Sequence, residues 1–227
     1  MTEIPGSAAP WLQDGLVIVA ILSIIAGNLL ALRQDNLKRL LACSSIAHLG
    51  YLLTALAAGG LAATETLLVY VLTYLATTLG IFGIVAMRSS AAHTTDTDLI
   101  ADYRGLARSQ PWLGAIMAVM LLSLAGIPLT AGFIGKLYIF VNGVQAQQWA
   151  LLAAVIIGST VGLAYYLRVL VTLFLPVTGA SPAAAEPAPR PVMLAILAGL
   201  AVVVLWLGTW PQPALEFVRS LSASLPV

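Results

Sequence analysis

Six long apolar runs, separated by short polar stretches, take up nearly the whole chain. They lie at residues 15–32, 40–58, 66–87, 111–141, 149–175 and 191–210. Crossing a bilayer takes about 20 residues of helix, so each run predicts one transmembrane span. None shows the strict alternation that marks a half-buried strand. The fourth run holds 31 residues and would reach roughly 46 Å as one straight helix, too far for a single span.

The polar stretches differ in charge. Arg33, Lys38 and Arg39 fall between runs one and two, Arg88, Arg104 and Arg108 between three and four, and Arg190 between five and six. Residues 59–65 and 142–148 hold no Lys or Arg. Basic loops stay in the cytoplasm, which predicts cytoplasmic loops after runs one, three and five and both chain ends outside. Trp11, Trp112, Trp149 and Trp210 lie at run ends, where an aromatic belt forms. Residues 91–110 are polar and long enough to lie along the cytoplasmic face. Residues 176–190 are rich in Pro and Ala and read as an extended linker.

Composition agrees. Of 227 residues, 60% are hydrophobic and 8% charged, against about 25% charged in soluble domains. The mean hydropathy is +1.00. Too little polar surface remains to cover a soluble core. The net charge of +1 carries no basic patch for nucleic acid. One cysteine, Cys43, excludes an internal disulfide and a multi-cysteine metal or iron–sulfur site. There is no heme-spaced histidine pair, no Gly-rich nucleotide loop after a strand and no Ser-His-Asp arrangement. Redox and nucleotide chemistry are therefore not expected in this chain. The first 14 residues do not resemble a signal peptide.

Several residues do not belong in lipid. In run four, Gly126, Pro128, Gly132 and Gly135 surround the middle of an overlong helix. Pro128 has no N–H, so the Leu124 carbonyl loses its helical partner. A break near the middle follows, and broken helices survive at membrane depth only inside protein or beside water. The plain alternative is a proline kink. Lys136 lies eight residues beyond, and a lysine at a span centre costs about 2.5–3.5 kcal/mol. It is either a buried, titrating group or a snorkelling one.

In run two, Ser44 and His48 are four apart and share a helix face, with Tyr51 three further on. Histidine suits a proton relay, and a histidine simply satisfied by a hydroxyl is the alternative. Run three carries Tyr70, Thr73, Tyr74, Thr77 and Thr78 at mostly three- and four-residue spacing. Such a stripe either holds water along a polar seam or bonds helix to helix. Asn28 and Arg168 are weaker candidates, and Arg168 lies close enough to a span end to snorkel.

Two stretches carry a resemblance. Residues 36–51 (Asn-Leu-Lys-Arg-Leu-Leu-Ala-Cys-Ser-Ser-Ile-Ala-His-Leu-Gly-Tyr) and 122–136 (Leu-Ser-Leu-Ala-Gly-Ile-Pro-Leu-Thr-Ala-Gly-Phe-Ile-Gly-Lys) resemble, in the right order, the two signatures of the antiporter-like membrane subunits of respiratory complex I. Lysine at 136 and the Ser-Ser-Ile-Ala-His wording point to the N-type branch, since the M type has glutamate at the first of these. Cys43 departs from the usual tyrosine.

The resemblance implies an all-α membrane protein of about six transmembrane helices, the fourth discontinuous. Residues 15–175 would be the second of two inverted five-helix repeats, 176–190 a linker and 191–210 the closing helix, in one transmembrane domain. The first repeat has no counterpart here, so the chain is expected to be a C-terminal piece or the product of a split or truncated gene. The implied function is the output half of a proton channel in NADH-quinone oxidoreductase. Lys136, His48, Ser44, Tyr70 and Tyr74 would form the proton pathway, and Gly126, Pro128 and Gly132 the helix break. No cofactor or metal is expected in this chain. NADH, FMN, iron–sulfur clusters and quinone would belong to partner subunits. Other membrane subunits of the complex and a chain supplying the missing helices are the expected partners. A high alanine content points to the bacterial inner membrane. A subunit of a multi-subunit Na⁺/H⁺ antiporter, which shares both signatures, is one alternative, and a truncated structural chain is the second.

Overall fold

Turn residues set most helix ends. The computed structural model describes residues 10–91, 99–176 and 191–224. Its helices are α1 (Pro10–Leu32), α2 (Leu37–Ala58), α3 (Gly60–Ala91), α4 (Leu106–Ser109), α5 (Pro111–Ala125), α6 (Ala131–Gln145), α7 (Trp149–Phe174), α8 (Pro191–Thr209) and α9 (Gln212–Ser224), with a 3₁₀ turn at Ile100–Tyr103. Asn36 caps α2 by accepting from the Arg39 N–H at 3.0 Å. Gly59, at φ +69°, closes α2 and turns the chain straight into α3. Pro111 opens α5, where its missing N–H costs nothing.

Five of these helices are long and apolar enough to cross a membrane. α5 and α6 have 15 residues each, about 22 Å, and together make the predicted fourth crossing, which brings the total to six. The chain is a multi-pass, all-helical membrane protein, and the one β contact among the described residues is the isolated bridge between Asn36 and Leu99.

The loops alternate between two ends, as the basic residues predict. At one end the Asp35 carbonyl accepts from the Ile100 N–H at 2.9 Å. Arg168, near the end of α7, pairs with Asp35 at 3.5 Å and donates to the Gln34 carbonyl. It snorkels toward the basic loops rather than facing the interior. Arg88 also belongs to this end: its guanidinium lies over the Tyr103 ring and donates to the Asp102 carbonyl. At the other end the Ala57 carbonyl accepts from Gln13 at 3.5 Å and Gln148 at 2.7 Å. Nearby, Asn142 donates to the Ala62 carbonyl at 3.0 Å and reaches the Thr66 hydroxyl.

Some expectations shift. α3 runs well past both ends of the third apolar run, so Glu65 lies in its first two turns and not in a loop. Residues 92–98 and 177–190 lie outside the described residues, and the 176–190 linker reading falls almost wholly among them. α9 follows the last span, where no element was expected. Leu215 and Val218, three apart, bury themselves with Val69 of α3, too short a stripe to stand out in sequence.

Candidate functional site

The fourth span breaks at residues 126–130, among the glycines and proline that predict it. α5 ends in Gly126 at φ +81°, whose N–H bonds back to the Leu122 and Ser123 carbonyls. That left-handed conformation costs an L-residue roughly 1–2 kcal/mol, and glycine avoids it. Leu129 adopts φ +74° without that freedom. Thr130 then folds back on Ile127 through both its N–H and its hydroxyl. α6 restarts at Ala131 with Gly132 against Ser123 of α5, close enough that a Cβ would collide with the Ser123 carbonyl. The Gly132 N–H donates to the Ser123 hydroxyl at 3.1 Å.

The break exposes carbonyls, and Lys136 takes them. Its ammonium donates to Leu124 O and Ala125 O, each at 3.0 Å. Leu124 O is the carbonyl that Pro128 leaves without a helical donor. The third ammonium face looks at the Tyr51 ring, 5.5 Å from its centroid. Lys136 thus turns inward across the break, not outward to the interface.

His48 sits on α2, buried, with a phenol on each ring nitrogen. Nδ1 is 2.8 Å from the Tyr70 hydroxyl on α3, and Nε2 is 3.3 Å from the Tyr166 hydroxyl on α7. Its ring stacks on Tyr74 at 4.8 Å and meets Tyr51 edge-on at 5.6 Å. Tyr74 donates to Ser45 at 2.7 Å. Three helices therefore hold one imidazole.

The two groups share a cavity of about 10 Å³ lined by His48, Tyr70, Tyr74, Thr77, Ser123 and Lys136, among others, about what one water needs. Of the proton-pathway residues expected from sequence, Lys136, His48, Tyr70 and Tyr74 meet here, with Thr73, Thr77 and Gly132 beside them. Ser44 does not line the cavity. Its hydroxyl donates to the Leu41 carbonyl of its own helix at 2.9 Å. In the α3 stripe, Thr73 and Thr77 bond their own helix, and Thr77 also lies 3.2 Å from Ser123. The Thr78 hydroxyl is buried without a partner and does not line the cavity.

Sequence reading missed Tyr165, Tyr166 and Ser123 and underrated Asn28. Asn28 donates to Ile24 O at 2.8 Å and Tyr51 at 3.2 Å, and accepts from Tyr165 at 3.0 Å. Two adjacent tyrosines in the middle of an apolar run were the available signal. No group of three His, Cys, Asp or Glu that could hold a metal occurs among the described residues.

Residues 2–162 match the model of the NADH:quinone oxidoreductase/Mrp antiporter transmembrane family. NADH-quinone oxidoreductase subunit N of Ectopseudomonas mendocina (strain ymp) is 50% identical over 220 residues, which cover 95% of this chain and 44% of that protein. The chain thus spans less than half the length of this curated relative. Among solved structures, a chain of respiratory complex I from Thermus thermophilus with bound aureothin superposes with a TM-score of 0.75 at 34% identity, over 89% of this chain and 45% of the other. A chain of the Mrp complex from Dietzia sp. DQ12-45-1b gives 0.81 at 22% identity, over 94% and 47%, a likeness of fold alone.

Proposed function

Since the chain belongs to the NADH:quinone oxidoreductase/Mrp antiporter transmembrane family, we propose that it forms the output half of a proton channel in a bacterial NADH-quinone oxidoreductase of the inner membrane. The observation that carries the reading is Lys136: an ammonium inside a broken span, on two backbone carbonyls, beside a polar cavity that also holds His48. Identity of one half to a subunit N favours this over a Mrp-type antiporter.

In this reading Lys136 is the loading group. The carbonyls of Leu124 and Ala125 replace the water its charged form would need. The cavity, with room for one water, and the Tyr70 hydroxyl lie between it and His48, which can hold or pass a proton. The break lets the backbone solvate a charge that a continuous helix could not. The other half of the pathway would come from a chain or segment carrying the remaining helices. NADH, FMN, iron–sulfur clusters and quinone would be held by partner subunits, with the energy of their electron transfer reaching this chain through neighbouring membrane subunits.

The test is proton pumping and NADH oxidation in membranes carrying Lys136→Met and Lys136→Arg, with complex content measured in parallel. Methionine keeps the length without the charge. Arginine keeps the charge but does not release its proton. Both variants should assemble and both should lose pumping. Full pumping by Lys136→Arg would make Lys136 an anchor and overturn the assignment.

A further inference from the structure

α6 begins without a cap of its own. Thr130 stands at its N-cap position, but its hydroxyl donates back to the Ile127 carbonyl at 2.7 Å and caps nothing. The N–H of Gly132, in the first turn, has no partner within its helix and is taken by the Ser123 hydroxyl of α5, at 3.1 Å. One half-helix thus caps the other. The Ser123 proton has a direction as well. Thr77 donates to the Thr73 carbonyl at 2.6 Å, and a carbonyl only accepts. Thr77 therefore offers Ser123, 3.2 Å away, only lone pairs, and Ser123 is the donor between them. A single buried hydroxyl on α5 accepts from α6 and donates to α3.

These bonds close a ring around the cradle of the lysine. Leu124 and Ala125, whose carbonyls hold the ammonium, directly follow Ser123. Lys136 lies four residues beyond Gly132, on the same face of α6. The Ser123–Gly132 bond therefore crosses the break one turn from the bonds of Lys136, and Ser123–Thr77 ties both halves to α3. Neither includes the ammonium, so both persist when the lysine gives up its proton. We propose that Ser123 is a positioning residue, which keeps the two carbonyls in place for Lys136 in its charged and its neutral state alike. Without it, the side-chain hydrogen bonds left between α5 and α6 among the described residues are those of Lys136 itself, and these weaken when the charge leaves. The cradle would then open at each release.

The link to pumping rests on the proton-channel reading; the tie across the break does not, and it can be read without a pumping assay. The chain has two lysines, Lys38 and Lys136. Labelling the full chain in lipid nanodiscs with ¹⁵N-lysine gives two side-chain signals, and Lys136→Met assigns them. Leucine labelled with ¹³C at the carbonyl then reports the approach of Lys136 Nζ to Leu124 through ¹⁵N–¹³C dipolar dephasing, while the ¹⁵N shift reports the charge state. In the parent, dephasing should be equal in the charged and neutral states. In Ser123→Ala it should survive while Lys136 is charged and fall to about half or less once it is neutral, since a lost hydrogen bond shifts such an equilibrium about fivefold. Thr77→Val should behave likewise, and Thr77→Ser like the parent. Complexes carrying Ser123→Ala should assemble and pump slowly. Loss of dephasing on neutralisation of the parent overturns the proposal, as does a Lys136 that keeps one charge state from acid to alkaline pH. Full dephasing of neutral Lys136 in Ser123→Ala overturns it too, and an equal fall in both charge states leaves Ser123 a packing residue without the positioning role. Normal pumping by Ser123→Ala overturns the link to function. Full pumping by Lys136→Arg sinks the channel reading alone and leaves the dephasing result standing.

Discussion

Lys136 on α6 and His48 on α2 face the same cavity, yet the protein accommodates them by opposite means. Lys136 is held by main chain: the helix opens and hands it two carbonyls. His48 lies in an unbroken helix and is held by side chains, with Tyr70 on one nitrogen and Tyr166 on the other. The difference follows from charge. An ammonium brings three donors and no acceptor, and free carbonyls are the strongest neutral acceptors in a protein interior. A neutral imidazole brings one donor and one acceptor, so a hydroxyl, which can be either, suits each side. The break supplies the free carbonyls that an ammonium at this depth needs.

The contrast can be broken on the backbone side first. Gly126→Val places a β-branched residue at φ +81° and pushes its Cβ to within 2.8 Å of Lys136 Cδ. A loss of about 2–3 kcal/mol is expected, together with loss of pumping, read by thermal unfolding of the chain in nanodiscs and by the assembled complex. Wild-type stability would mean that the break does not need its left-handed turn.

On the side-chain side the expected effect is smaller. Tyr70→Phe removes one hydroxyl and leaves His48 Nδ1 to a water, at about 1 kcal/mol. Assembly should be normal and pumping slower, because the bridge between cavity and imidazole is cut. Unchanged pumping would remove Tyr70 from the pathway.

Pro128→Ala sharpens the comparison. The alanine regains an N–H that could reclaim Leu124 O, but Gly126, Leu129 and Thr130 hold the break and Lys136 already occupies that carbonyl. The variant should lose less than about 1 kcal/mol and keep pumping. A sharp fall in pumping would show that proline alone keeps the carbonyl for the lysine. Thr78→Val is the smallest change. Its buried hydroxyl has no partner, so the variant should match the parent within about 0.5 kcal/mol. A clear loss of stability or pumping would return Thr78 to the polar seam.

Much of this was legible in the residues. Pro128 between Gly126 and Gly132 announces a break because those residues change what the backbone can do locally, whatever surrounds them. Lys136 and His48 announce themselves because ionisable groups are rare in apolar runs. Loop charge gave the alternation of ends for the same local reason. α9 was not legible, since its burial depends on Val69 of a distant helix.

What the sequence by itself determined, then, is the number of crossings, the one that breaks and the two groups that need solvating. Helix periodicity, chain length against bilayer thickness and the chemistry of single residues are enough for these. Which donor meets which acceptor was decided only by tertiary structure. Along the chain Ser44 shares a helix face with His48, yet its hydroxyl bonds Leu41 of its own helix and Tyr70 of α3 takes the imidazole. Tyr166, 118 residues away, reaches His48 because α7 packs beside α2. A hydrogen bond forms or fails within a few tenths of an ångström, and such distances are set by how helices pack, which no local pattern in the chain records.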